Sequence, residues 1–182
     1  MTIRPETRRI LADSLEALVE VKPFEKISVQ DIIHYCGASR TTFYRYFKDK
    51  YDLMNWICKS QMDAILQDNK KEHRSILEIV SFIKEKRRYF QEIIQFKGQN
   101  SFVEFLLEYG QKACIDLIRR QLGPDDIPDE VACSVRMFIG GTTYLLYYWI
   151  CNHCVESPDF IEAAILSNLP QNLRPYLIYL SE

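Results

Sequence analysis

Apolar residues fall at helical spacing along most of the chain, Gly is sparse, and Pro sits mostly at segment edges. This pattern predicts an all-α fold. A first helix is expected from Pro5, a residue suited to a first helical position, to Val21. Its buried stripe is Ile10, Leu11, Leu15, Leu18 and Val19, with Arg8, Arg9, Glu16 and Glu20 outside it. Ser28 followed by Asp31 is a capping-box signal that opens a short helix with Ile32, Ile33 and Cys36 turned inward. Gly37 suits a backbone position with positive φ, and Ser39 can cap the next helix, Arg40 to Phe47. Phe43 and Phe47 lie four apart and share its inward face. Phe24 and Ile27 close a three-helix core.

Asp49 caps a longer helix that runs from Lys50 through Leu53, Met54, Trp56, Ile57, Met62, Ile65 and Leu66. It is too long for the first domain alone and is expected to connect two domains, residues 1–52 and 53–182. A polar break spans Gln67 to Arg74. Further helices are expected at Ser75–Phe96, Phe102–Leu122, Pro128–His153 and Ser157–Leu169. A turn at Lys97–Asn100, a Gly123-Pro124 stop and the Ser157-Pro158 cap separate them. The Pro128–His153 helix is apolar over a wide arc and must bury a second surface besides a core face. Gly140-Gly141 permits close approach at a crossing. The tail, Gln171 to Glu182, carries Leu173, Tyr176, Leu177, Ile178 and Leu180 and is expected to pack.

Two short helices joined by a tight Gly turn, the second presenting cations and hydroxyls, read as a helix-turn-helix. The outward residues Arg40, Thr41, Thr42, Tyr44, Arg45 and Tyr46 include no acid. Arg40 and Thr41, at the start of this helix, are the first candidates for base edges in the major groove. Thr42, Tyr44, Tyr46 and Lys50 are candidates for phosphate, and Arg45 suits either role. Ser28 and Ser39 either add phosphate contacts at helix N-termini or simply cap. Arg4, Arg8 and Arg9 reach phosphate only if the N-terminus skirts the duplex; solvated surface is their commoner role.

The run Ser28 to Leu53, S-V-x-D-I-I-x-x-C-G-A-S-R-T-T-F-Y-R-Y-F-K-D-K-Y-D-L, resembles the DNA-binding domain of the TetR/AcrR family of bacterial transcriptional regulators. Its most specific part is T-F-Y-R-Y-F-x-x-K-x-x-L, Thr42 to Leu53. Lys22 to Val29 is similar to a branch common in Firmicutes. Asp13-Ser14 and Lys22-Pro23 depart from the usual Ala-Ala and Gly turn, away from the recognition helix. The resemblance implies a homodimer formed by the last two long helices, a near-palindromic double-stranded operator, and a base contact from Gln30. It also implies a ligand cavity among the C-terminal helices, for which Phe90, Phe105, Tyr109, Tyr144 and Tyr148 are the candidate wall. Phe and Tyr at helical spacing are more often core. Glu104, Glu108, Lys112, Asp116 and Arg136 are the charges nearby, so a hydrophobic or cationic effector is favoured. The expected function is a repressor released by a small molecule. The alternative is an activator-type regulator acting through a protein partner, as in the kinase-linked activators of dihydroxyacetone utilisation.

The net charge of −2 argues against a protein that merely coats nucleic acid. Its distribution changes the picture. Residues 37–50 carry four Lys/Arg and one acid, whereas residues 98–182 carry five Lys/Arg and eleven Asp/Glu. One locally basic helix on an acidic molecule fits a single DNA-facing surface. The cluster Lys84–Arg88 is more often a solvated helix face. Six Cys without paired short spacings throughout suggest reduced thiols in a cytoplasm. Cys151-Asn-His-Cys154 lacks the further ligands of a closed zinc site. No signal peptide, membrane span, nucleophile triad or phosphate loop stands out, so neither catalysis nor a cofactor is expected. A helical protein-interaction module remains the third reading.

Overall fold

The computed structural model describes residues 5–67, 75–96, 101–123 and 127–177. Among these, all regular structure is helical: α1 (Pro5–Val19), α2 (Val29–Cys36), α3 (Arg40–Tyr46), α4 (Lys50–Gln67), α5 (Ser75–Glu85), α6 (Arg87–Ile93), α7 (Phe102–Leu122), α8 (Asp129–Cys151), α9 (Pro158–Ser167) and α10 (Arg174–Leu177). A 3-10 turn, Phe24–Lys26, joins α1 to α2. Arg4, most of the polar break (68–74), the turn at 97–100, Pro124–Asp126, Ile178 and Leu180 lie outside the described residues.

Helices α1 to α3 close over Leu11, Leu15, Val19, Phe24, Ile32 and Phe43, all buried. The first helix stops at Val19, two residues early, and leaves Val21 exposed. Its buried stripe also differs from expectation. Ile10 is 46% exposed, and Ala12 and Ser14 lie inside instead. Ser14 can be buried because its hydroxyl donates to the Ile10 carbonyl at 2.7 Å. Its neighbour Asp13 points out and pairs with Arg9 at 2.8 Å.

The expected helix from Ser75 to Phe96 is interrupted at Lys86, where ψ reaches 29°. The break lets two helices bury different neighbours. α5 packs on α4 and α9, whereas α6 packs on α1 and α8. The cations around it brace helices together. Lys86 pairs with Glu16 at 3.3 Å, Arg88 with Glu20 at 3.8 Å, and Lys84 donates to the Glu156 carbonyl at 2.9 Å.

α7 and α8 make the most extensive helix pair. Their close crossing is at Gly110, where a Cβ would lie 3.0 Å from Ile139 Cγ2. Gly140 and Gly141, the expected crossing point, face open space within the chain. α9 begins as read, with the Ser157 hydroxyl accepting from the Phe160 N–H and Pro158 in the first turn. The tail packs through buried Leu173 and Leu177.

One side chain joins the first bundle to α4. The Lys50 ammonium donates to the carbonyls of Phe24, Glu25 and Ile27 at 2.8, 3.0 and 2.8 Å, and lies 4.7 Å from the Phe24 ring centroid. The same turn is held from α6, where Glu92 Oε2 accepts the Phe24 N–H at 3.1 Å. Beside it, Tyr51 stacks on Phe96 at 4.1 Å. Truncating Lys50 leaves three carbonyls to find water. Lys50→Ala is expected to cost about 1–3 kcal/mol of stability, read as a lower urea midpoint at unchanged slope.

Candidate nucleic-acid interface

The recognition helix is set by local chemistry at both ends. At the entry, the Ser39 hydroxyl accepts from the Thr42 N–H at 3.0 Å and shares a hydrogen bond with the Thr42 hydroxyl at 2.8 Å. Gly37, at φ 69°, makes the reversal from α2. At the exit, Phe47 leaves the helix in extended backbone, and its ring packs 5.9 Å from Phe43 and 5.7 Å from Trp56 of α4. Burying Phe43 and Phe47 fixes which side of α3 faces out.

That outward side carries Arg40, Thr41, Tyr44 and Arg45, all exposed. Across the turn, Gln30 is exposed as well, and its Oε1 accepts from Arg40 Nε at 3.3 Å. The two residues named for base edges from different helices are therefore side by side. Ser28 completes the capping box, accepting from the Asp31 N–H at 3.1 Å while Asp31 Oδ2 accepts from the Ser28 N–H at 2.7 Å. Lys22 pairs with the same carboxylate oxygen at 2.9 Å. The Ser28 N–H, the Lys22 ammonium and the Ser28 hydroxyl hold the Asp31 carboxyl far below the usual carboxylate range.

Three expected phosphate contacts read differently in place. Lys50 is turned into the chain, its ammonium engaged by three carbonyls, and it does not point to the outward face. Thr42 is half-buried, with its hydroxyl engaged by Ser39. Tyr46 is half-buried, with the Arg45 guanidinium 5.0 Å and the Arg8 guanidinium 5.7 Å from its ring. Arg8 is thus packed against the recognition helix, and Arg9 is paired with Asp13 and Glu16. Two exposed side chains on this surface were missed. Lys48 follows α3 directly, and Tyr35, on α2, is 60% exposed. Lys48 was legible as the first cation of Phe47-Lys-Asp-Lys50, but spacing alone does not separate it from Lys50.

A family model described as "Bacterial regulatory proteins, tetR family" matches residues 11–56, the span that holds this surface. A second, "Transcriptional regulator C-terminal region", matches residues 70–171, more than half of the chain. The chain belongs to the TetR family of transcriptional regulators. It is similar to the HTH-type dhaKLM operon transcriptional activator DhaS of Lactococcus lactis subsp. lactis (strain IL1403), 27% identical over 104 residues. That match spans 56% of this chain and about half, 54%, of the relative. Among solved structures, the dihydroxyacetone kinase operon activator DhaS superposes with a TM-score of 0.67 at 20% identity, covering 93% of this chain and 97% of that one. A TetR transcriptional regulator from Streptococcus agalactiae 2603V gives 0.61 at 16% identity, covering 91% and 94%. These structures share the fold. TetR-family proteins are DNA-binding regulators rather than enzymes.

The C-terminal region of this TetR-family chain contains a cavity of about 140 Å³ between α4, α5, α7 and α8. Of the five aromatic residues expected in its wall, only Tyr109 is there. Phe90 is fully buried against Phe82, Tyr89 and Phe102, and Phe105 stacks between Phe102 and Tyr109. Tyr144 and Tyr148 are 70% and 57% exposed. The inward stripe of α8 is Phe138, Ile139, Thr142, Thr143 and Leu146, which turns both tyrosines outward. Glu104, Glu108, Lys112, Asp116 and Arg136 do not line the cavity. The Tyr109 hydroxyl donates to Asp63 Oδ1 of α4 at 2.9 Å. Burial, then the bond to Asp63, raise its pKa well above the phenol range, so it stays protonated. Among the described residues no three His, Cys, Asp or Glu are grouped to hold a metal, and Cys151 and Cys154 are free thiols, one exposed and one buried.

The Asp31 cap gives a pH test of the interface. Its folded pKa is depressed, so its stabilisation is complete above the unfolded value of about 3.9 and is lost as pH falls through the folded one. Asp31→Asn is expected to lower Tm by a constant amount at neutral pH, with the gap to wild type closing below about pH 4. A thermal scan from pH 7 to pH 2 reads it; a gap that widens in acid contradicts the assignment.

Proposed function

We propose that two copies of this chain bind a near-palindromic operator in the cytoplasm, one α3 in each of two successive major-groove faces, and repress transcription until a small molecule enters the C-terminal cavity. The observation that carries the DNA reading is the acid-free outward face of α3, with Arg40 held beside Gln30 at 3.3 Å. Arg40, Gln30 and Thr41 read base edges, while Tyr44, Arg45, Ser28, Ser39 and Lys48 fix the register on phosphate.

Dimerisation is supported by an outward stripe on α8. Met137, Tyr144 and Tyr148 are 75%, 70% and 57% exposed, and Phe160 on neighbouring α9 is 60% exposed. Gly140 and Gly141 interrupt the stripe with open space above them. Glycine inside an exposed helix weakens it by about 1 kcal/mol relative to alanine, and here no group among the described residues uses the space. A second copy of α8 would use it. Release by an effector is supported by Tyr109, which lines the cavity and is bonded to α4, the helix whose first turn grips the DNA-facing bundle. The similarity to DhaS, an activator by name, favours a second reading in which the bound protein raises transcription. A promoter–reporter fusion with the gene deleted separates the two by sign.

Oligonucleotides selected from a random pool should yield a palindrome with half-sites about one helical turn apart or slightly more. On that duplex Arg40→Ala is expected to cost about 1–3 kcal/mol of binding and to relax one base position in each half. Lys48→Ala should weaken all sequences alike and reduce the salt slope by about one unit per copy. For the dimer, Tyr144→Glu should sediment as a monomer at concentrations where wild type is dimeric. Equal sedimentation of the two would exclude the α8 stripe as the contact.

A further inference from the structure

The cavity walls restrict what can occupy the site, and we infer that its ligand is a small, uncharged, largely apolar molecule of roughly the size of a single aromatic ring. This rests on the effector reading above and names the ligand class it requires. The wall is hydrocarbon nearly throughout: Met62 and Leu66 of α4, Ile79 of α5, Leu106 of α7, and Phe138 and Leu146 of α8 carry most of it. Among the described residues, no Asp, Glu, Lys, Arg or His lines it. Moving an unpaired charge into such surroundings costs far more than a few contacts return. Desolvation therefore acts against a cationic or anionic effector, and of the hydrophobic and cationic molecules named above the wall favours the first.

Size is the second indication. An apolar cavity of about 150 Å³ stays dry and takes a benzene-sized guest, and this one is about 140 Å³. The polar groups in the wall are few. Tyr109 has its proton committed to Asp63, so its oxygen can only accept. The Thr142 and Thr143 hydroxyls lie on α8, and Thr143 is 4% exposed. The hydroxyl oxygens of Tyr109, Thr142, Thr143 and Ser75 can accept from a donor on the ligand, a hydroxyl or a ring N–H, and none of these groups carries a charge.

Gly110 lines the cavity at the point where α7 crosses Ile139 of α8, and any side chain there would meet Ile139 at 3.0 Å. The close approach of α7 to α8 at this crossing depends on glycine, and a side chain at position 110 would push against Ile139 in the wall. Nearby Ala113, also in the wall, is the place where added carbon fills the space.

Toluene is the probe, with benzoate and benzylammonium as charged partners of the same ring, each added to the full-length protein. Toluene at tenfold over its Kd is expected to raise Tm by about 3 °C, and neither charged compound should move it. Ala113→Leu should lose at least tenfold in toluene affinity by calorimetry. If Ala113→Leu does not fold, Thr142→Val at the same wall serves instead. It keeps the shape, removes a hydroxyl, and should bind toluene at least as tightly as wild type. A toluene shift of zero, or a shift from benzoate or benzylammonium equal to that of toluene, overturns the inference. A gain in Tm for Ala113→Leu with no toluene binding by wild type also overturns it, marking the space as a packing void. DNA binding without ligand is measured on the same samples. Its absence beside a toluene shift counts against the regulator reading alone, and its presence beside no toluene shift counts against the cavity alone.

Discussion

A lysine ammonium with three donors and a chain reversal with three free carbonyls are the complementary pair on which this architecture depends. Lys50 sits in the first turn of α4, and Phe24, Glu25 and Ile27 belong to the turn that feeds α2. Burial lowers the Lys50 pKa, and Glu25 opposes that shift. The carbonyls take the place of the water the cation gives up. Because α2 leads through Gly37 directly into α3, holding the turn holds the recognition helix. The opposite polarity of the same turn is held from the other domain: its Phe24 N–H goes to the Glu92 carboxylate of α6. Carbonyls to a cation from one side and an amide to an anion from the other make this turn a junction between domains.

α4 then carries that junction inward. Asp63 lies thirteen residues beyond Lys50, a helix rise of roughly 20 Å, and it is bonded to Tyr109 in the cavity wall. Lys59 pairs with Asp63 and lies 5.8 Å from the Tyr109 ring centroid, so the link is a small polar cluster at the edge of an apolar space. On the proposed function, a rigid helix with one end at the Phe24–Ile27 turn and the other at a cavity wall would need no chain of small shifts between the sites. Tilting it would be enough, provided that a ligand favours one tilt.

Local chemistry was legible in the sequence. The Ser28–Asp31 box, the Gly37 reversal, the Ser39 and Ser157 caps and the Phe43/Phe47 anchor each depend on residues within four positions of one another, and each is present. What spacing could not supply was the far end of long side chains and the identity of distant neighbours. Lys48 and Lys50 are two residues apart with the same side chain, yet one is exposed and the other is engaged by carbonyls more than twenty residues upstream. Lys86 breaks a helix whose apolar periodicity runs on, because its flanks must meet different partners. Gly110 and the Gly140-Gly141 pair are indistinguishable as glycines in helices, and only the position of Ile139 assigns the internal crossing to the first.

The division of α8 between its two faces explains why the aromatic residues misled. A tyrosine buried in a hydrocarbon cavity must bond its hydroxyl or lose the hydration of that group, a cost of about 1–3 kcal/mol. Tyr109 meets that condition through Asp63, and Tyr144 and Tyr148 avoid it by facing outward. Phe138, Ile139 and Leu146 carry no such requirement and share the inner stripe with two threonines. A surface of tyrosine, methionine and glycine is in turn the kind that a protein contact uses, since rings bury area at low conformational cost and keep a hydroxyl for the rim. On the proposed dimer the same twenty-three residues of α8 form both the cavity wall and the contact between copies. A ligand that turns α8 against α7 therefore moves the wall and the contact together. The spacing of the two recognition helices would follow from that turn as well as from the tilt of α4.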